Sequence, residues 1–112
     1  MKQAIINAVV HTGEEIIENG VVVVENGTII SVQKEIPNDI KTIDLKGNHL
    51  AAGFIDIQIN GGEKYYFSQT PDEETIQDIY DASIKYGTTH VLPCLISSSK
   101  ETILEGIEAV RN

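Results

Sequence analysis

Three polar side chains that alternate with isoleucines are the residues of this sequence best suited to chemistry. Asp56, Gln58 and Asn60 fall at every second position of the segment Phe54–Asn60, with an isoleucine between each pair. This period-two spacing predicts a β-strand with the polar groups on one face and the isoleucines on the other. A carboxylate and two amides aligned in this way can hydrogen-bond a polar substrate or a reacting water.

The alternation has two interpretations. An ordinary strand with one solvated face shows the same pattern. Strands of parallel sheets are usually covered on both faces, so polar side chains on such a strand are instead expected at the C-terminal mouth of a (β/α)8 barrel, where active sites are built. Gly61 and Gly62 follow directly, as a turn or as a close approach of the backbone to a substrate. On the second interpretation Asp56, Gln58, Asn60 and Gly61 line an active site.

The other candidates for chemistry are interpreted as structural. His11, His49 and His90 show neither His-x-His nor i,i+4 spacing, and metal sites need clustered ligands. Cys94 lies in an apolar stretch, where most cysteines are buried small hydrophobes. Tyr65–Phe67 predicts a packing cluster over the strand end, with a lid or a substrate-stacking surface as the alternative.

Residues 1–52, which precede the polar segment, have the pattern of strands and turns. They are rich in Ile and Val, which suit a pleated sheet. Asn-Gly pairs at 19–20 and 26–27 each predict a tight hairpin turn, because both central positions of such a turn need positive φ. A further turn is predicted at 46–48. The pattern predicts part of an antiparallel sandwich or small barrel.

The second half of the chain alternates strands with helices. A strand over 54–60 is followed by a helix that opens at Thr70–Glu73, with Thr70 as its N-cap. The acidic side chains in that first turn favour a helix N-terminus. A strand over 88–95 then precedes a second helix, which opens with a capping box at Ser98–Glu101. Strand, helix, strand, helix with short connections predicts a parallel sheet.

Length and composition limit the classes of protein. The 112 residues are 41% hydrophobic and 22% charged, as in globular proteins, and the change of pattern assigns 1–52 and 53–112 to different domains. Eight basic against 17 acidic residues give a net charge of −9, which argues against a nucleic-acid partner. The single cysteine excludes an internal disulfide and favours a cytoplasmic location. We expect no membrane span and no signal peptide, since every apolar run is short or interrupted.

Motifs along the whole chain resemble those of N-acetylglucosamine-6-phosphate deacetylases, in the amidohydrolase superfamily. The resembling segments are, in order, Ile5–Gly13, Gly20–Ile29, Asp44–Leu50, Gly53–Asp56 (GFID), Gln58–Gly61 and Gly87–Ser98 (GTTHVLPCLISS). The last segment is the most specific to the deacetylases, whereas GFID is common to many amidohydrolases.

The resemblance implies an α/β fold. Part of a small β-sandwich domain over 1–52 would precede the first two strand–helix units of a (β/α)8 barrel over 53–112. Both domains are incomplete in this chain. It also implies hydrolysis of the acetamide of N-acetylglucosamine 6-phosphate to glucosamine 6-phosphate and acetate. The enzyme would be a cytoplasmic homodimer with one divalent ion, zinc or iron, that polarises the carbonyl. The metal ligands and the catalytic Asp of the family match no segment here. We therefore expect no catalytic residue, no bound metal and no activity from these residues alone.

The chain departs from the superfamily pattern at several positions. Gln58 and Asn60 stand where most amidohydrolases have a metal-binding His-x-His, and amides are poor substitutes for imidazole. Deacetylases with Gln-x-Asn and a single metal match this form. Ala52 replaces the usual Pro and Cys94 the usual Thr, without changing the chemistry assigned. Two alternatives stay open: an amidohydrolase acting on a cyclic amide, like dihydroorotase or imidazolonepropionase, and a stand-alone non-catalytic module.

Overall fold

The computed structural model describes residues 1–111, in two compact units that divide between Ala52 and Gly53. The first unit contains five strands, and the second alternates strands with helices. The elements of the first unit are β1 (Lys2–His11), β2 (Ile16–Glu25), β3 (Thr28–Gln33), β4 (Lys41–Asp44) and β5 (His49–Ala51). Those of the second unit are β6 (Phe54–Ile59), α1 (Glu73–Ile84), β7 (Thr88–Pro93) and α2 (Lys100–Arg111).

The first unit is a mixed sheet rather than the antiparallel one predicted. Its order is β3-β2-β1-β4, and β5 also pairs with β1. The β1–β2 and β2–β3 pairs are antiparallel, whereas β4 and β5 both run parallel to β1. The parallel pairing of both strands follows from the predicted turn at 46–48, which separates β4 from β5 while the chain continues in the same direction along β1. On either side of this turn, Leu45 N–H donates to Ile6 O, and Val9 N–H donates to Asn48 O.

One of the two Asn-Gly turn predictions is confirmed and the other is wrong. Asn26 and Gly27 have φ of 49° and 82° and connect β2 to β3, as a type I′ hairpin requires. The pair at 19–20 instead lies inside β2, where the register against β1 shifts between Ala8 and Val10. It forms a β-bulge there. The hairpin between β1 and β2 lies at 12–15, where Thr12 Oγ1 accepts the N–H groups of Glu14 and Glu15.

Gly20 is buried in this bulge, and we expect Gly20→Ala to destabilise the first unit by about 1–3 kcal/mol through overpacking. A Cβ at this position would lie 2.6 Å from Val10 Cγ2. Urea denaturation of the full-length protein measures the cost. In a Val10→Ala background, Gly20→Ala should lower the free energy of unfolding by less than it does in the wild type, with an interaction energy of about 0.5–3 kcal/mol. Additive costs in the double variant would show that the contact with Val10 is not the cause.

The sheet of the first unit carries apolar side chains on both faces. The run Val21–Val24 alternates between them, so that Val21 and Val23 pack with Ala4 while Val22 packs with Ala8 and Val10. Buried small side chains on β1 allow this close packing, and a strand covered on two faces needs a continuous apolar run. The uninterrupted valines are therefore the sequence signal that β2 is an interior strand of the sheet.

Asp44 at the end of β4 stabilises the first unit through its charge. Its Oδ1 accepts the Lys46 backbone N–H at 2.8 Å and the Asn7 side-chain amide at 3.0 Å. These two hydrogen bonds, the Lys46 one foremost, hold the pKa of Asp44 below its usual range. A lowered carboxyl pKa adds stability above the usual Asp pKa, and this stability is lost as the pH falls through the folded-state value.

We therefore expect Asp44→Asn to destabilise the protein near neutral pH, and we expect this difference to shrink as the pH falls through the folded-state pKa of Asp44. Denaturation of both proteins over a pH series from about 7 into the acid range checks this linkage. Asp39→Asn, at an exposed aspartate in the loop before β4, is the control. A difference between wild type and Asp44→Asn that stays constant with pH would contradict the assignment.

The second unit confirms the predicted alternation of strands and helices and its parallel sheet. β6 and β7 pair in parallel. The predicted helix starts are slightly wrong: Asp72, not Thr70, caps α1 by accepting Thr75 N–H at 2.8 Å. Ser99, not Ser98, accepts Thr102 N–H at the start of α2. Within residues 1–111, no helix is long and apolar enough to span a membrane.

The core of the second unit forms around Phe67 and Ile79, both almost fully buried. α2 approaches this core through Gly106, where an added Cβ would lie 2.8 Å from Leu95 Cδ1. The apolar side chains of α2 at helical spacing face solvent. They are Ile103, Leu104, Ile107 and Val110, each more than two-fifths exposed.

Candidate active site

The polar segment ends at the C-terminal edge of the two-stranded sheet. Ile59 pairs with Pro93 at the end of the β6–β7 ladder, and just beyond it Cys94 N–H donates to Ile59 O at 2.8 Å. Because parallel strands end at the same edge of a sheet, Asn60 and Cys94 are brought to one place. The sequence predicts the polar residues at the C-terminal mouth of a barrel; in the structure Asn60 directly follows the end of β6.

Asp56 hydrogen-bonds within the strand through its side chain, whereas Gln58 and Asn60 do so through their backbone. Asp56 Oδ1 accepts the Gln58 backbone N–H at 3.0 Å, at an irregularity of the ladder between Asp56 and Ile59. The hydrogen bonds that Gln58 and Asn60 make within residues 1–111 use backbone atoms. Neither side-chain amide hydrogen-bonds another group among residues 1–111.

Both faces of β6 are partly exposed in the residues described. Ile55 and Ile57 are 63% and 73% exposed, and on the polar face Asp56 and Asn60 are half-buried whereas Gln58 is exposed. An ordinary surface strand buries its apolar face and solvates its polar face. Exposure among residues 1–111 therefore leaves both interpretations of the alternation open.

Gly61 and Gly62 form the start of a tight hairpin loop, Gly61–Tyr66, as the turn interpretation predicts. Gly61 pairs with Tyr66, and Gly62 N–H donates to Tyr65 O at 3.0 Å. A Cβ on Gly61 would lie 2.6 Å from Tyr65 O, and one on Gly62 would clash with Asp78 Oδ2. The chain's own packing therefore already requires glycine at both positions. The assignment of Gly61 to the active-site lining stays a prediction.

Two contacts to this loop, one from α1 and one from the residue that follows it, were not predicted from the sequence. Asp78 Oδ2 accepts the backbone N–H groups of Lys64 and Tyr65. Lys85 Nζ lies 2.9 Å from Glu63 Oε1, and this hydrogen bond raises the pKa of Lys85. Both partners of that ion pair are more than half exposed, so it adds little stability. The Asp78 contact has no sequence signal, because it depends on a loop 14 residues earlier.

The aromatic segment Tyr65–Phe67 divides into different roles. Phe67 is 2% exposed and packs in the core, and its N–H donates to Asn60 O at 2.8 Å. This confirms the predicted packing cluster for Phe67. Tyr65 is half-buried, and Tyr66 is exposed and lies beside Gly61. The alternative role, a surface for stacking a substrate, stays open for Tyr66.

The histidines expected to be scattered include one close pair. His11 Nε2 lies 2.7 Å from His49 Nδ1, with the rings stacked at 5.0 Å between centroids. The parallel pairing of β1 with β5 brings them together, which no spacing rule could show. His90 contacts the Thr89 hydroxyl instead.

No metal site is built by the part of the chain described. Among residues 1–111, no three side chains of His, Cys, Asp or Glu are grouped so that they could hold an ion. Asp56 is occupied with the Gln58 backbone, and the two amides that follow it are weak ligands for zinc. These residues do not fit a metal by themselves, so the chemistry derived for them is hydrogen bonding.

Comparison with known proteins finds similarity over almost the whole chain. The family described as the NagA composite domain matches residues 3–50. The N-acetylglucosamine-6-phosphate deacetylase of Haemophilus influenzae is 38% identical over 99% of this chain and 30% of its own length. An N-acetylgalactosamine-6-phosphate deacetylase of a Shewanella species is 38% identical over 59% of this chain and 17% of its own length.

Solved structures give the same relationship. The N-acetylglucosamine-6-phosphate deacetylase of Pasteurella multocida aligns with a TM-score of 0.93 and 31% identity, over 99% of this chain and 30% of that one. A deacetylase of the same name from Mycobacterium smegmatis, at 19% identity, shares the fold with a TM-score of 0.71 over 97% of this chain and 28% of that one. The chain thus spans about 30% of the length of the first two named deacetylases, from Haemophilus and Pasteurella.

Proposed function

Because this chain corresponds, over 99% of its length, to the N-terminal portion of N-acetylglucosamine-6-phosphate deacetylases, we propose that it is part of an enzyme of that activity. The enzyme hydrolyses the acetamide of N-acetylglucosamine 6-phosphate, giving glucosamine 6-phosphate and acetate. The observation that carries the proposal is the combination of 38% identity with the Haemophilus deacetylase and a TM-score of 0.93 to the Pasteurella enzyme.

The architecture proposed for the whole enzyme assigns a role to each unit. Residues 1–52 belong to a small β-sandwich domain, and 53–112 are the first two strand–helix units of a (β/α)8 barrel. The parallel β6–β7 pair, with α1 between the strands, supports the second assignment. Such barrels carry their active sites at the C-terminal ends of the strands, which is where Asn60 lies.

Within that enzyme, Asp56, Gln58, Asn60 and Gly61 line the active site. Asp56 fixes the backbone of the strand end through Gln58 N–H. The Gln58 and Asn60 amides hydrogen-bond the sugar or the attacking water, which they can do as donor or acceptor. Such positioning raises the rate when it holds the reacting groups in the geometry of the transition state.

Several properties of the whole enzyme accompany this proposal. Deacetylases of this family are metal-dependent, and we propose a single zinc or iron ion, held by ligands other than the residues described here. The substrate is a phosphorylated amino sugar, the enzyme is a homodimer, and its location is the cytoplasm. None of the roles assigned to residues 1–111 requires contact with the metal.

Acetate release from defined substrates tests the function. The full-length protein, supplied with Zn²⁺ or Fe²⁺, is expected to release acetate from N-acetylglucosamine 6-phosphate faster than from N-acetylglucosamine. N-acetylgalactosamine 6-phosphate is assayed alongside because of the Shewanella relative, and a preference for it would reassign the sugar. Hydrolysis of dihydroorotate or imidazolonepropionate, without acetate from either sugar phosphate, would establish the cyclic-amide alternative. A well-folded protein inactive on all of them would favour a non-catalytic module.

A further inference from the structure

The loop that follows the polar segment is held by a side chain from the middle of α1. Lys64 N–H and Tyr65 N–H donate to the same oxygen, Asp78 Oδ2, at 2.9 Å and 3.2 Å. An aspartate inside a helix cannot cap that helix, and here its carboxylate accepts from a different segment. Hydrogen bonds to an ionised acceptor are stronger than those between neutral groups. Asp78 is therefore a firm attachment point for the Gly61–Tyr66 loop.

The attachment is rigid at its helix end. Asp78 precedes Ile79, which is completely buried, and Ser83 one turn later hydrogen-bonds Ile79 O. The loop end is equally constrained, because Gly62 lies directly against Asp78, with no room for a Cβ. Because the Asp78 carboxylate is fixed on both sides, the position of the loop depends on the position of α1.

The loop in turn borders the proposed site. Asn60 immediately precedes it, and Asn60 O accepts Phe67 N–H on the far side of the hairpin. The Gly61–Tyr66 pair closes the loop between these two residues. If the turn at Lys64 and Tyr65 becomes more mobile, we therefore expect the backbone that carries the Asn60 amide to become more mobile as well.

We propose that Asp78 is a positioning residue for the deacetylase site: through its two loop N–H contacts it holds the Gly61–Tyr66 loop so that the Asn60 amide is directed at the substrate. This inference rests on the proposed function. Asp78 touches no substrate, and its effect on the reaction is expected to pass through Asn60.

Kinetics of the full-length enzyme test the proposal at a temperature where every variant is folded. Asp78→Ala is expected to lower kcat/KM by on the order of tenfold, because small displacements of a positioning group are costly. Asp78→Asn keeps an acceptor oxygen and is expected to recover most of this loss. Asp81→Ala, one turn along the exposed side of α1, is the matched control and is expected to match wild type.

A double-mutant cycle separates positioning from a purely structural role. If Asp78 acts through Asn60, Asp78→Ala should have little further effect on kcat/KM in an Asn60→Ala background. Losses that multiply in the double variant, or an unchanged kcat/KM in Asp78→Ala, would overturn the proposal. A lower melting temperature with unchanged kinetics would also overturn it.

Hydrogen exchange distinguishes failure of this inference from failure of the proposed function. In Asp78→Ala the amides of Lys64 and Tyr65 are expected to exchange faster than in wild type, and those of the Asp81→Ala control are not. Equal exchange in Asp78→Ala and wild type would refute the attachment. A wild-type protein that hydrolyses neither sugar phosphate would refute the proposed function, and with it Asp78's role toward Asn60, whereas exchange would still decide whether Asp78 holds the loop.

Discussion

Replacement of both Gln58 and Asn60 with alanine in the full-length enzyme is expected to lower kcat/KM for the sugar phosphate by about 5- to 150-fold. The range follows from two lost hydrogen bonds of about 0.5–1.5 kcal/mol each, at about 1.4 kcal/mol for each factor of ten. Both amides lie at the C-terminal end of β6 with their side-chain groups available. Steady-state kinetics of acetate release measure the effect.

The control for this double variant replaces the same two residue types elsewhere. Gln77 on α1 and Asn38 in the loop before β4 are both exposed, and their joint replacement with alanine should leave kcat/KM near the wild-type value. An unchanged kcat/KM in the Gln58 and Asn60 variant would remove these residues from the active site. It would leave the deacetylase activity itself untouched, since that is measured on the wild-type protein.

Phe67→Ala is expected to destabilise the second unit by about 3–5 kcal/mol, the usual cost of removing a buried aromatic side chain. Phe67 is 2% exposed, and its ring lies beside Gly106 of α2. α2 meets the ring at Gly106, a residue without a side chain that could move into the space left by the ring. Urea or thermal denaturation of the full-length protein gives the magnitude.

Two further variants define what this result means. Phe67→Leu keeps most of the apolar volume and should cost less than about 1.5 kcal/mol if volume is the cause. Tyr86→Ala, at an aromatic residue that is 80% exposed, should change the stability little. A Phe67→Ala protein as stable as the Tyr86→Ala protein would contradict the placement of Phe67 in the core.

Local sequence patterns were sufficient where one short segment determines the structure. Asn26-Gly27 forms the predicted hairpin because both residues can adopt positive φ. The equivalent pair at 19–20 has the same composition, but only Asn19 has positive φ there. Continuous pairing of β2 with β1 requires a bulge rather than a turn at that point. The two Asn-Gly pairs differ in the strands that lie beside them, and the dipeptide alone does not specify these neighbours.

At the candidate site, too, local patterns predicted the strand but not the contacts between side chains and distant segments. Alternation predicted the strand that carries Asp56 and Gln58, because period two is a local property. Nothing local indicated that Asp78 would accept two loop N–H groups, or that His11 would meet His49. The His11–His49 contact depends on the parallel pairing of β1 with β5, and the Asp78 contact depends on how α1 packs against a loop that lies 13–14 residues earlier.

The central position of β1 has a consequence for the order in which the first unit folds. Its antiparallel contacts with β2 close short loops, as do those of β2 with β3, whereas its parallel contacts with β4 and β5 join residues far apart in sequence, such as Gln3 and Lys41. Loop-closure entropy grows with the length of chain enclosed, and long-range pairing slows folding. The three-stranded meander should therefore form early, leaving one side of β1 as an unpaired edge until β4 and β5 dock. During that interval the nascent chain is most prone to pair with another copy of itself.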